Sequence, residues 1–290
     1  MPTERIEPGD HTVELNGTRL HYLDWGPQGK PPLILLHGFS SQAHYWDGLA
    51  VRLRDAYHVY ALDQRGHGDS AWADDYTPEA MPADLAAFVD HLGLDRVTLL
   101  GHSMGGNVAI RYTVDHPDRV ERLVLADIGL PHHVRTLNPD NSVQRALATD
   151  TFANEDAIYE YYRKLVPGLD WAKHGPALMH NFRQQEDGSY TYKFDPALRK
   201  RLLGDDPEIQ ERQRANAEHV RARTGNVTCP VLVIRGEHSD ILSREHAEET
   251  VAAFPNAKLV EIPGTTHMVP TDNPRAFRDT VRDFLGLAPA

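Results

Sequence analysis

Three residues able to serve as nucleophile, base and orienting acid fall between positions 103 and 267, each a few positions beyond an apolar run of strand length. Ser103 is the central one. It lies in Gly101-His102-Ser103-Met104-Gly105, directly after Val97-Thr98-Leu99-Leu100, and the residues that follow recur at helical spacing. A strand therefore passes into a helix at the serine. So sharp a turn strains the serine backbone and exposes its hydroxyl, while the flanking glycines leave room for neighbouring elements. The helix starting at Met104 also aims unpaired N–H groups at this spot, where they would stabilise negative charge growing on a substrate oxygen.

A serine hydroxyl is a weak nucleophile until a base takes its proton, and the base needs a carboxylate to hold its tautomer and orientation. His267, in Gly264-Thr265-Thr266-His267-Met268 after the last strand-like run, is the expected base. The expected acid is Asp240, which follows Val231-Leu232-Val233-Ile234-Arg235 through Gly236-Glu237-His238-Ser239. Glu237 in the same loop and Asp127 after the preceding strand are its rivals. A second oxyanion donor is expected in the loop after Leu33-Ile34-Leu35-Leu36, where Gly38 lets backbone approach a substrate. The expected pair is the backbone N–H of Phe39 with that of Met104. His37, His102, Arg65 and His67 read as residues that fix these loops by hydrogen bonds.

Other chemistries fit the sequence less well. The dinucleotide fingerprint would need a glycine where Ser103 stands, and neither a Walker-type Gly-Lys-Ser/Thr nor His-Glu-x-x-His occurs. No metal and no cofactor is therefore expected. With 30 basic against 42 acidic residues the formal charge is -12, which disfavours nucleic acid and anionic lipid as partners. Cys229 stands alone, so no intramolecular disulfide can form. The charged start of the chain and the lack of a membrane-length apolar stretch lead to the expectation of a cytoplasmic protein.

The elements that must position these residues alternate. A hairpin is expected at 12–15 and 18–25 around Asn16-Gly17, then strands at 33–36, 57–62, 97–100, 122–126, 231–235 and 258–262. Helices are expected at 46–53, 81–92, 104–114, 244–254 and 274–285. This order predicts an α/β fold with a doubly wound, mostly parallel sheet. Between residues 129 and 227 the pattern lapses, and charged helical stretches appear at 156–165 and 208–223. The expected organisation is a core of 1–128 and 228–290 carrying a helical cap at 129–227. Tyr159, Tyr161, Tyr162, Trp171 and Phe182 could wall a pocket above Ser103 or hold the cap's own core together.

Taken together, His37-Gly38-Phe39, Asp63-Gln64-Arg65-Gly66-His67-Gly68, Gly101-His102-Ser103-Met104-Gly105-Gly106, the Asp240 loop and Gly264-Thr265-Thr266-His267 resemble the α/β-hydrolase-fold serine hydrolases. The resemblance spans the whole chain and points to the capped esterase, lactonase, carbon–carbon hydrolase and haloperoxidase group. It implies a cofactor-independent serine esterase acting on a small-molecule carboxylic ester through an acyl-enzyme. A lactonase, carbon–carbon hydrolase or perhydrolase would use the same triad, and a slow-turnover ligand-binding receptor would keep the pocket. Epoxide hydrolases and haloalkane dehalogenases of this fold carry an aspartate nucleophile, against which Ser103 argues. Carbon–carbon hydrolases usually show more glycines than Phe39-Ser40-Ser41. Many relatives also place the acid three residues after the glycine, whereas Asp240 is four after Gly236.

Overall fold

Leu33, Ile34, Leu35 and Leu36 are all fully buried, which requires cover on both sides of the strand they form. A computed structural model describes residues 6–131, 149–165, 170–198 and 207–288 and shows how that cover is built. The first five residues and parts of the expected cap (132–148, 166–169 and 199–206) lie outside the described residues. The strands are β1 (Gly9–Leu15), β2 (Thr18–Asp24), β3 (Pro32–Leu36), β4 (His58–Asp63), β5 (Val97–His102), β6 (Val120–Ala126), β7 (Thr151–Phe152), β8 (Phe182–Gln184), β9 (Tyr190–Tyr192), β10 (Val231–Gly236) and β11 (Ala257–Ile262). Eight of them make one sheet in the order β1-β2-β4-β3-β5-β6-β10-β11. β1 and β2 pair antiparallel through the left-handed Asn16-Gly17 turn, and β2 joins β4 antiparallel; the remaining pairings are parallel.

Successive side chains of a strand point to opposite faces, and each face here has its own helices. Ile34, Leu36, Leu99, Leu123, Val231 and Val233 face α2 (Ala80–His91) and α3 (Met104–Asp115), which bury Leu85, Phe88, Val108 and Tyr112 against them. Leu33, Leu35, Leu100, Val124, Leu232 and Ile234 face α1 (Asp47–Leu53) and the C-terminal helix (Pro274–Phe284), through Leu49, Leu53, Phe277 and Val281. The expected doubly wound, mostly parallel sheet is what forms.

The stretch between β6 and β10 is less helical than its composition suggests. It holds α4 (Glu155–Leu165), α5 (Trp171–Met179) and α6 (Pro207–Arg221), but also a three-stranded antiparallel sheet in the order β7-β9-β8. Strands of two or three residues show no detectable alternation; aromatic contacts hold them instead. Phe182 opposes Tyr192 across β8 and β9 with ring centroids 4.5 Å apart, and Phe152 packs edge-on against Phe182. This small sheet is tied to the core loops. Tyr76 donates to Asp195 at 2.6 Å, the Asp195 N–H donates to Gly66 O at 2.7 Å, and Lys193 pairs with Asp69 at 2.7 Å. Among the described residues no helix is long and apolar enough to cross a membrane.

Candidate active site

Parallel pairing in register brings the carboxyl ends of four strands side by side: His102 opposite Ala126, Ala126 opposite Ile234, and Gly236 opposite Ile262. The residues that follow must share one edge of the sheet. Ser103 takes φ 51° and ψ −116°, a left-handed conformation that a non-glycine residue adopts only under constraint. Its N–H donates to Ala126 O at 3.1 Å, and α3 starts at the next residue. A Cβ on Gly101 would come within 2.4 Å of Gly105 O, and one on Gly105 within 2.4 Å of Leu36 O. The strand-to-helix turn is possible only because both positions lack side chains.

His267 lies where the loop after β11 crosses this edge, 3% exposed, and its Nδ1 is 2.8 Å from Oδ2 of Asp127. Asp127, wholly buried, is the residue immediately after β6 and is itself left-handed at φ 49°. Both of its carboxylate oxygens are engaged: Oδ1 accepts the Gly236 N–H at 2.8 Å, and Oδ2 accepts the Ser239 hydroxyl as well as the imidazole N–H. With Nδ1–H donated to Asp127, the other ring nitrogen keeps its lone pair for proton transfer. The carboxylate that bonds His267 in this structure is therefore Asp127, the rival after β6, and not the expected Asp240. The reason is local. Ser239 occupies the inward position of the β10 loop, its Oγ accepting the N–H of Leu242 at 3.0 Å, and the chain turns Asp240 out to solvent. Glu237, the other rival, is exposed and accepts the Gly264 N–H.

Two sequence signals pointed this way. Asp127 continues a buried strand with no intervening loop, and Ser239 stands three residues after Gly236, the spacing at which many related chains place the acid. No hydrogen bond joins the Ser103 hydroxyl to His267 in this structure; such contacts are often long before a substrate draws them in.

The loop after β3 lies against the serine. A Cβ on Gly38 would fall 2.8 Å from His102 Nδ1 and 3.4 Å from Ser103 Cβ, and Ser40 is left-handed at φ 59°. The backbone N–H groups of Phe39 and Met104 have no acceptor among the described residues. The Phe39 ring is held edge-on by His67 and lies 5.2 Å from Phe194 of the inserted stretch. Buried histidines fasten these loops. His37 donates from Nδ1 to Gly38 O at 2.8 Å and accepts the Gln64 N–H at Nε2. His102 donates from Nε2 to His267 O at 2.9 Å. Burial pushes both His67 and His102 down to about 3, with a further push on His102 from His267, so both rings are neutral. Arg65 forks onto both oxygens of Asp84.

A cavity of about 340 Å³ opens at Ser103, Phe39 and Met104 and runs along α3 past Asn107 to Arg111. Ile128, Leu130 and Ile241 wall its core side, and Ile209, Gln213 and Asn216 of α6 wall the other. His267 is not on its surface. None of the five aromatics singled out in the sequence lines it. Tyr161, Tyr162 and Trp171 pack instead against the buried cluster of Phe152, Ile158, Phe182 and Tyr192, and Tyr159 packs on Trp171. Among the described residues only His21, Asp63 and Asp69 group as metal ligands could. Protein partners already engage them: His21 Nδ1 lies 2.7 Å from Asp63, which also accepts the N–H groups of Ala43 and Asp69, and Lys193 pairs with Asp69.

The sequence matches the family model for the alpha/beta hydrolase fold over residues 31–274. An esterase of Mycobacterium tuberculosis is 28% identical over 272 residues, covering 91% of this chain and 85% of that protein. A bifunctional esterase/perhydrolase of Acinetobacter calcoaceticus is 26% identical, covering 93% and 97%. N-formylmaleamate deformylase of Pseudomonas putida is 44% identical over 117 residues, covering 40% of this chain and 43% of that one. Among solved structures, the M. tuberculosis esterase superposes with a TM-score of 0.76 at 26% identity, covering 97% of this chain and 92% of that one. An E-2-(acetamidomethylene)succinate hydrolase superposes with a TM-score of 0.78 at 20% identity, covering 97% and 100%. With the family model spanning most of its length, the chain belongs to the α/β-hydrolase fold family.

Proposed function

We propose that the protein is a serine hydrolase of small-molecule carboxylic esters, with Ser103 as nucleophile, His267 as base and Asp127 as the acid that orients it. The observation that carries this reading is the imidazole held at 2.8 Å by a wholly buried carboxylate, one strand end away from a serine in strained left-handed geometry. The esterase names of the relatives supply the bond type. His267 takes the hydroxyl proton as Ser103 Oγ bonds to the ester carbon, and the carbonyl oxygen gathers negative charge against the N–H groups of Phe39 and Met104. Collapse expels the alcohol, which leaves with the proton from His267. Water, deprotonated by the same ring, then releases the acid and restores the serine. Residues 129–227 act as one cap over this site, with α6 contributing the substrate wall. The partial identity with a deformylase favours a second reading, in which the same acyl transfer expels an amine from an amide.

A fluorophosphonate is expected to label wild-type protein one to one at Ser103, and Ser103→Ala to abolish both labelling and turnover of aryl esters. Equal labelling of the alanine variant would overturn the assignment.

A further inference from the structure

We propose that Asn107 makes the acyl pocket selective for chains bearing an uncharged hydrogen-bonding substituent, a hydroxyl or amide, two or three carbons from the scissile carbonyl. This deepens the reading of Ser103 as an acyl-forming nucleophile and rests on it. Asn107 is four residues after Ser103, and its N–H donates to Ser103 O at 3.2 Å, so it stands one helical turn away on the same face of α3. That stripe, continuing through Met104, Val108 and Arg111, forms one wall of the cavity. The side-chain oxygen of Asn107 is shut off from solvent and has no hydrogen-bond partner among the described residues. A polar atom left so costs free energy that an apolar residue of similar shape would avoid. Its neighbours on the wall are otherwise satisfied or apolar: Arg111 donates to Asp115 and to Asn216, His246 bonds Leu130 O, and Ile128 and Leu130 carry no polar side chain.

A carboxamide offers both a donor and an acceptor, so it can pair with an alcohol or an amide by turning about its last bond. The spacing sets where that group must be. Four residues of helix advance about 6 Å, which a substituent on the third or fourth carbon of a Ser103-bound acyl chain spans together with the asparagine side chain. Across the cavity, Gln213 of α6 presents a second carboxamide that makes no hydrogen bond among the described residues. A plain alkyl chain would leave Asn107 unpaired and dry, and sites built around such a group discriminate strongly against substrates that lack its partner.

The test uses two aryl esters of equal shape, 3-hydroxybutanoyl and 3-methylbutanoyl, with the full-length protein. Wild type is expected to favour the hydroxy ester in kcat/KM by at least tenfold, and Asn107→Leu to lose that preference by tenfold or more while raising Tm. Fluorophosphonate labelling of Ser103 checks that the variant's site is intact, and Asn107→Ala serves if the leucine variant does not fold. A wild-type ratio at or below one, a ratio unmoved by the substitution, or a lowered Tm in a leucine variant that still folds and labels, showing that the carboxamide already bonds the protein, would each overturn the proposal. Absence of Ser103-dependent turnover of either ester would instead overturn the esterase reading beneath it.

Discussion

At the scale of single residues, the buried carboxylate fixes the orientation of His267, the proposed base. Replacing Asp127 by Asn puts an N–H donor where the imidazole N–H must point, which favours the wrong tautomer, so kcat should fall by roughly 10³–10⁴. Asp240→Asn should leave kcat within about threefold, because that side chain is exposed and the imidazole is already paired. Ser239 lies between these cases. Its hydroxyl bonds the same oxygen as His267, so Ser239→Ala removes one hydrogen bond to a buried charge, of order 1.5–3 kcal/mol, or roughly 10- to 100-fold in kcat with KM little changed. Ser239→Thr should restore most of the loss. Steady-state kinetics on one aryl ester separate the three, and an Asp240→Asn defect matching that of Asp127→Asn would refute this assignment. The convergence of Ser103, His267 and the Phe39 loop at one sheet edge was legible in sequence because strand runs and glycines mark them. The carboxylate that bonds His267 was not, since two strand ends converge on one histidine, and which of them supplies the carboxylate depends on a single inward or outward position.

At the scale of elements, the apolar periodicities and turn glycines foretold the core sheet and its helices to within two residues, except that β1 begins three residues before the expected start at residue 12. The small sheet of the inserted stretch was not foreseen because strands as short as β7 and β8 have no period, and the use of its aromatics stayed open because an aromatic-rich segment reads alike whether it walls a pocket or fills its own core. The packing separates these uses. Phe182 and Tyr162 belong to the inserted stretch's buried cluster, while Ile209 of α6 faces the cavity. Phe182→Ala should cost about 3–5 kcal/mol of stability, read as a lower denaturation midpoint, and leave the ratio of kcat/KM between short and long acyl esters alone. Ile209→Ala should do the reverse, shifting that ratio by the ~1–3 kcal/mol that each methylene is worth in an apolar pocket. A ratio that moves with Phe182 and not with Ile209 would contradict this division of labour.

At the scale of the whole molecule, the loops above the sheet are fastened by histidines that burial keeps neutral, and this makes stability sensitive to acid. His67 and His102 have values near 3 in the folded protein against an ordinary 6.5. Between those limits the unfolded chain binds a proton that the folded one refuses, so stability rises with pH and is lost as pH falls from 6.5. Each ring contributes up to about 1.4 kcal/mol per pH unit, and at pH 5 the two together remove roughly 4 kcal/mol, a large part of the 5–15 kcal/mol typical of a domain. Other groups do not cancel this loss. His21 is desolvated too, but its hydrogen bond and charge contact with Asp63 outweigh burial and raise it, so its contribution is already complete below pH 6.5 and declines only above. Asp63, held below the usual carboxylate range by His21 and its other partners despite burial, loses its contribution only under more acid conditions. Urea unfolding at pH 6.5 and pH 5 should therefore give a markedly lower free energy at the acid end. In His102→Gln, whose amide can still donate to the His267 carbonyl, that difference should shrink by about 2 kcal/mol. A difference equal to that of wild type would show that His102 is protonated in the folded state and that the loops over the sheet are held in some other way.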